Sequence, residues 1–223
     1  MICGLLKNTI QKSLYNYVVA AIPNKGDEYG KRALEKWIRK YNGSDFYVLK
    51  VDVKKFFDSI DRDILFKKLS KLIKDNRFLE IIRRVLWYDN NPQGVGIPIG
   101  FYTSQWFSNF YLKDFDHFIM QELKPEHEIR YMDDVVILDK DKNKLHDIRE
   151  KIQKYLIRIS LELKSNYQVF KFEDLNSNDR AIDFMGFVFH RNRTTLRKST
   201  LKRARRKDFK LDRKKKINWY EAC

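Results

Sequence analysis

Residues 129–138, Ile-Arg-Tyr-Met-Asp-Asp-Val-Val-Ile-Leu, constrain the fold more than any other stretch of the chain. Two adjacent carboxylates sit between short runs of β-branched and aromatic residues. That is the pattern of a β-hairpin whose tight turn carries an exposed acidic pair. Turn chemistry accounts for one aspartate, because Asp bonds readily to its own turn backbone. A second strand-like segment far upstream, Phe46-Tyr47-Val48-Leu49-Lys50-Val51-Asp52-Val53, brings another. Its alternate residues Tyr47, Leu49, Val51 and Val53 make a wholly apolar face, whereas Phe46, Val48, Lys50 and Asp52 make one that ends in charge. With the apolar face packed on helices, Asp52 points to the open side of the sheet at the strand end. A helix N-cap or turn role competes for Asp52, but Lys54-Lys55-Phe56-Phe57 directly after it makes a poor helix start.

Three carboxylates on adjoining strand ends repel one another unless a cation lies between them. Mg²⁺ favours a few carboxylates completed by substrate phosphates. Two such ions about 4 Å apart activate an attacking hydroxyl and stabilise the leaving oxygen in phosphoryl transfer, a device shared by nucleases and polymerases. Charge points the same way. Lysine and arginine number 46 against 30 acids, a net +16, which favours a nucleic-acid partner over a membrane surface.

Hydrophobic residues make up 43% of the 223, enough for one large domain, or one domain with an appendage. No run is long enough to span a bilayer, so no membrane partner is expected. The N-terminus lacks the pattern of a signal peptide. Cys3 and Cys223 are the only cysteines, and the four histidines are scattered. Neither a disulfide framework nor a cysteine zinc site is expected, and the setting is expected to be cytoplasmic.

Apolar periodicity predicts helices over 5–20, 31–41, 61–74, 77–88 and 143–160, with a long one from about 103. In the first, Leu5, Leu6, Ile10, Leu14 and Val18 form the stripe, and Pro23, Gly26 and Gly30 interrupt the chain after it. Short strands are expected at 167–172 and 182–190. Glycine at position 100, before the long helix, permits close approach of another backbone or a ligand. The segment 191–216 is dense in lysine and arginine, opposed only by Asp208 and Asp212, and reads as an interaction tail for a phosphate backbone.

Around the acids, the chain resembles the reverse transcriptase family over most of its length and in the family's order. Val51-Asp52-Val53-Lys54-Lys55-Phe56-Phe57-Asp58 is similar to motif A, with Asp52 as first metal-binding acid and Phe57 where the family gates against a ribose 2′-hydroxyl. Tyr131-Met132-Asp133-Asp134 resembles the motif C acidic turn. Leu161-Glu162-Leu163-Lys164 matches motif D, and Phe184-Met185-Gly186-Phe187 resembles the motif E primer grip. Ile99-Gly100-Phe101-Tyr102-Thr103-Ser104-Gln105 departs from the usual motif B, which opens on Gln-Gly and ends on Ser-Pro. An aliphatic residue before the glycine, with Ser-Gln after it, is similar to the diversity-generating retroelement branch, whose members copy RNA with errors opposite adenine.

The resemblance implies an α+β right-hand polymerase palm, an antiparallel sheet with helices on one face. It implies partial fingers at 1–45, a palm at 46–190, and a truncated basic thumb start at 191–223. The implied chemistry is RNA-directed DNA synthesis with two Mg²⁺ ions, for which Mn²⁺ can substitute. Asp52, Asp133 and Asp134 would be catalytic, with the Val53 carbonyl as a further metal ligand. Phe57, Ile99, Gly100, Gln105, Lys164 and Lys25 would meet the nucleotide, with Lys31 and Arg32 as further triphosphate candidates. Tyr131, Met132, Met185, Gly186, Arg197 and Lys198 would meet primer and template. The implied partners are template RNA, a DNA or RNA primer, deoxynucleoside triphosphates and a small basic accessory protein.

Alternatives stay open: a catalytically impaired RNA-binding fragment, a metal-dependent nuclease, or another lineage of the family (retron-like, intron-like or phage-defence). The chain before Asp52 is short for complete fingers. Trp219-Tyr220-Glu221-Ala222-Cys223 falls about where a thumb would begin, so a minimal thumb or a fragment is expected.

Overall fold

The computed structural model describes residues 2–41, 43–89, 93–172 and 180–206. The chain divides into two compact units, residues 1–172 and residues 173–223. The basic stretch 207–216 and the terminal 219–223 lie outside the described residues.

The first unit is built on a four-stranded antiparallel sheet in the order β2-β3-β1-β4. Its strands are β1 (Tyr47–Asp52), β2 (His127–Tyr131), β3 (Asp134–Asp139) and β4 (Gln168–Lys171). Leu49 and Val51 of β1, with Val135 and Ile137 of β3, are fully buried on the sheet's packed face. They join one core with Trp106, Phe107, Tyr111, Leu145, Ile148, Ile152 and Leu156. Those partners come from α6 (Tyr102–Tyr111) and α8 (Lys142–Arg158). Apolar alternation thus decides which face the helices cover, and leaves Lys50 and Asp52 on the opposite, half-open face.

Before the sheet lie α1 (Ile2–Ile10) and α2 (Asp27–Lys40). Between β1 and β2 come α3 (Phe56–Ser59), α4 (Arg62–Leu72), α5 (Asn76–Leu86), α6 and α7 (Lys113–Phe118). Sharp starts follow from Asx caps. Asp61 accepts from Ile64 N, Asp75 from Arg77 and Phe78 N, and Asp141 from Asn143 and Lys144 N.

Several expected boundaries move. The first helix ends at Ile10, passes through one tight turn to Ser13, and leaves Leu14 extended. Val18 pairs instead with Arg130, because Val19 N donates to Arg130 O and Arg130 N to Tyr17 O, both at 3.1 Å. The open edge of β2 offers Val18 and Val19 an extended bridge that suits β-branched side chains better than a helix. Gly30, expected to interrupt, lies buried inside α2. The long helix from about 103 is two helices broken at Leu112, followed by a π-helical turn at Ile119–Leu123.

The second unit carries a three-stranded antiparallel sheet of β5 (Ile182–Phe184), β6 (Phe187–Phe189) and β7 (Thr194–Leu196). The single strand expected at 182–190 is therefore a hairpin. Its turn residues Met185 and Gly186 have φ of 51° and 81°, the two-residue geometry that matches strand twist. Ile182, Phe184 and Phe189 are its buried anchors. A helix begins at 198 and continues to 206.

Candidate active site

The β2–β3 hairpin turns at Met132-Asp133, so Tyr131 closes one strand and pairs with Asp134 opening the other. Met132 has a φ of 55°, left-handed backbone that a non-glycine residue adopts only when its surroundings hold it there. Asp134 is also the register partner of Asp52 across the β1–β3 ladder. Beyond the ladder's end, Val53 N donates to Asp133 O at 3.2 Å. Two strand ends and one turn thereby gather Asp52, Asp133 and Asp134 at one edge of the open face. The pair is not exposed, as the sequence pattern suggested, but half-buried.

Burial has electrostatic consequences. It pushes Asp134 up to about 6, only partly opposed by Lys50, and the charges of Asp52 and Asp133 add to the rise. Burial also raises Asp133, and the Asp52 carboxylate beside it raises it further. Two lysines offset this congestion. Lys50 Nζ lies 3.2 Å from Asp134 Oδ2, and Lys164 Nζ lies 2.8 Å from Asp52 Oδ1. The contact with Asp52 in turn holds Lys164 above its ordinary value. Lys164 does not end a helix. Its N–H donates to Asp52 O at 2.8 Å, on a segment where Leu163 bridges Val53.

Among the described residues, no group of three or more His, Cys, Asp or Glu is close enough to hold a metal ion by itself. The donor set fits a hard cation in a more limited way. Asp52 and Asp133 stand against each other, and Asp134 Oδ1 is buried without a hydrogen-bond partner among the described residues. One or two carboxylates completed from outside the protein are what Mg²⁺ favours.

The other expected site residues fall into three groups. Phe57 lies half-buried in α3, its carbonyl accepting from Ile97 N at 2.9 Å. Ile97 is the buried foot of the loop that carries Ile99, 73% exposed, and Gly100. Gly100 has a φ of 96°, and among the described residues a Cβ there would meet nothing within 4 Å. Among the described residues, the conformation is what calls for glycine. Gln105 lies in the first turns of α6.

Two residues of the turn and three lysine or arginine residues before β1 form the second group. Met132 turns inward, its sulfur 3.6 Å from Ser108 Oγ, and Tyr131 is raised by burial and by the nearby Asp27. Lys25 donates to the Asn16 carbonyl and is lowered by burial. Lys31 and Arg32 pair with Glu28 at 3.8 and 3.2 Å.

Met185, Gly186, Arg197 and Lys198 belong to the second unit. There Arg197 N donates to Gly186 O at 2.8 Å and its Nε to Asp183 Oδ1 at 2.7 Å, whereas Lys198 is exposed.

Sequence reasoning passes over Lys50 and the buried pair of Arg130 with Asp116. The available signal is a charge at an alternate position of an otherwise apolar strand, which needs a partner when buried.

An antiparallel sheet backed by helices on one face, with carboxylates gathered at one end of the other, defines a polymerase palm. The chain belongs to the reverse transcriptase (RNA-dependent DNA polymerase) family, whose model matches residues 4–189. An alignment of 104 residues that covers 44% of the chain is 35% identical to an uncharacterized 91 kDa protein in the cob intron of Schizosaccharomyces pombe. That alignment covers 13% of the intron protein. Among solved structures, apo telomerase from Candida tropicalis, truncated from its C-terminal domain, shares the fold at a TM-score of 0.65 and 14% identity. The match covers 87% of this chain and 44% of that one. Telomerase from Candida albicans, in complex with the TWJ fragment of telomeric RNA, matches at a TM-score of 0.61 and 17% identity. It covers 85% of this chain and 36% of that one. The chain therefore spans less than half the length of these relatives. Among the described residues, no helix is long and apolar enough to cross a membrane.

Proposed function

We propose that the protein is an RNA-directed DNA polymerase that joins a primer 3′-oxygen to the α-phosphorus of a deoxynucleoside triphosphate and releases pyrophosphate. The observation that carries this reading is the β1–β3 register, which sets Asp52 opposite Asp134 beside the Asp133 turn. Asp52 and Asp133, with the Val53 carbonyl, would hold two Mg²⁺ ions, or Mn²⁺ in their place, and Asp134 supports them from the ladder. When bound, these ions supply activation of the 3′-hydroxyl and neutralisation of the leaving pyrophosphate. Lys164, kept charged by Asp52, would give its proton to that pyrophosphate. Phe57 closes the space where a 2′-hydroxyl would sit.

Ile99, Gly100 and Gln105 line the nascent base pair, and Lys25 serves the triphosphate. Tyr131, Met132, Met185, Gly186, Arg197 and Lys198 serve primer and template RNA. Residues 1–45 would be partial fingers, 46–190 the palm and 191–223 the thumb start, in a cytoplasmic setting. Two lineage readings differ in support. Error-prone copying with a small basic accessory protein rests on Ile99 and Ser104-Gln105, whereas an intron-like role rests on the cob-intron relative.

Primer extension on poly(rA)/oligo(dT), with Mg²⁺ and then Mn²⁺, tests the function. Extension is expected, and it should vanish in Asp133→Asn/Asp134→Asn while RNA binding persists. Full activity in that double variant sinks the assignment. Primer shortening makes the protein a nuclease, and a gel shift alone makes it a binding fragment.

A further inference from the structure

Four buried polar groups that the proposed chemistry leaves unused cluster beside the catalytic turn. Arg130, Asp116, Asn109 and Glu128 are each fully buried. Arg130 lies in β2, three residues before Asp133. Its Nε and Nη2 donate to the two carboxylate oxygens of Asp116 in α7 at 2.6 and 2.7 Å. That fork alone satisfies the charge. The remaining arm, Nη1, donates to Asn109 Oδ1 in α6 at 3.1 Å and to the carbonyl oxygen of Met132 at 2.8 Å. Asn109 is fixed in turn, its Nδ2 donating to Ala20 O at 2.9 Å. The guanidinium is therefore held by three bonds to two side chains, and its fourth bond goes to the peptide that joins Met132 to Asp133.

That peptide needs holding. Met132 has left-handed backbone, and the plane of its carbonyl decides the direction in which Asp133 leaves the turn. On the far side of Asp133, Val53 N holds the next carbonyl. The turn is thus clamped on both peptides of the catalytic aspartate.

We propose that Arg130 is a positioning residue: by donating Nη1 to the Met132 carbonyl it holds the left-handed turn that sets the Asp133 carboxylate beside Asp52, with Asp116 and Asn109 aiming the guanidinium. The inference rests on the reading of Asp52 and Asp133 as a cation-holding pair. A purely structural ion pair would make the opposite forecast, since its loss would lower stability and leave the folded fraction's cation affinity unchanged.

Lysine separates the two roles. An ammonium at position 130 can still face Asp116 but lacks a planar fork with a third arm for Met132. Mn²⁺ binding, followed by electron paramagnetic resonance on protein shown to be folded by circular dichroism, is the readout. Arg130→Lys should bind Mn²⁺ about 10-fold or more weakly, the usual penalty for disturbing a group that orients a ligand. Asp133→Asn should weaken it as well. Wild-type binding that needs Asp133 but is untouched by Arg130→Lys overturns the positioning role alone. No binding by wild type, or binding indifferent to Asp133→Asn, overturns the cation pair and the inference with it. If Arg130→Lys does not fold, Asn109→Ser carries the test, because it spares the Asp116 fork and removes one bond that aims Nη1. It should weaken Mn²⁺ binding in the same direction, and unchanged affinity overturns the proposal.

Discussion

The ammonium of Lys50 lies 3.2 Å from a carboxylate oxygen of Asp134, across the ladder that joins their strands. Lys50 stands two residues before Asp52 on the same face of β1, so one strand supplies both an acid and a counter-charge to its neighbour's acid. With that counter-charge in place, burial and the adjacent carboxylates already lift Asp134 to about 6. Its charge at neutral pH thus depends on Lys50. In Lys50→Met, the Asp134 midpoint should rise further by roughly one to two units, the usual effect of losing a close opposite charge. Carboxyl-¹³C NMR titration of the metal-free protein measures it directly. An unmoved midpoint would show that the pairing contributes nothing.

Phe57 should decide the sugar. Its backbone is fixed by the bond from Ile97 and its ring packs against Phe56 at a centroid distance of 5.6 Å, so Phe57→Ala opens space without moving the strand end. Discrimination against ribonucleoside triphosphates should fall about 10–100-fold, the range that one steric contact supplies. Competitive incorporation of dTTP against UTP is the assay, and unchanged selectivity places the gate elsewhere.

Gly100 separates backbone from ligand effects. Among the described residues, a Cβ at this position meets no atom within 4 Å, so Gly100→Ala strains the φ of 96° there. That costs about 1–2 kcal/mol, a Tm drop of a few degrees at ~2–4 °C per kcal/mol. If the loop closes on the nascent base pair, KM for the triphosphate should rise far more than the Tm loss explains. A loss confined to Tm would make Gly100 a turn residue and no more.

How much of the fold and site is legible in the sequence depends on the type of signal. The apolar face of β1, the hairpin at 131–134 and helices α4, α5 and α8 come from periodicity, because each buries one continuous stripe. Asp52 on the open face comes from the same count. The departures share a different cause, tertiary competition. Residues 14–19 leave their helix because β2 has an open edge, and no local pattern announces a neighbour's edge. Met185-Gly186 turns a strand into a hairpin without the usual Asn-Gly signal. Arg130 reads as one polar residue in an apolar run, although Glu128-Ile129-Arg130 inverts the expected alternation and so marks a strand with charge on its buried face. Asp116, embedded among Phe115 and Phe118, is hidden within an aromatic stripe. Buried ion pairs join distant segments, and only the fold brings their halves together.

Glu128 provides the last test, through pH. It is fully buried beside the Asp116–Arg130 pair, and neither of its carboxylate oxygens has a hydrogen-bond partner among the described residues. One guanidinium faces two carboxyls, and its bidentate bonds go to Asp116. Burial first, and the Asp116 charge second, therefore push Glu128 well above the ordinary carboxylate range. The folded state holds a proton there that the unfolded chain releases near pH 4 to 5. By linkage, this group's contribution to stability is fully present below the unfolded value and is lost as pH rises through the folded one. Glu128→Gln keeps the shape and removes the ionisation. Its Tm should match that of wild type near pH 4.5 and exceed it increasingly toward pH 8, each kcal/mol appearing as about 2–4 °C. Thermal melts of both proteins between pH 4.5 and 8 measure the gap. A constant offset would mean that Glu128 finds a partner on ionising, and that the cluster around Arg130 carries a second negative charge.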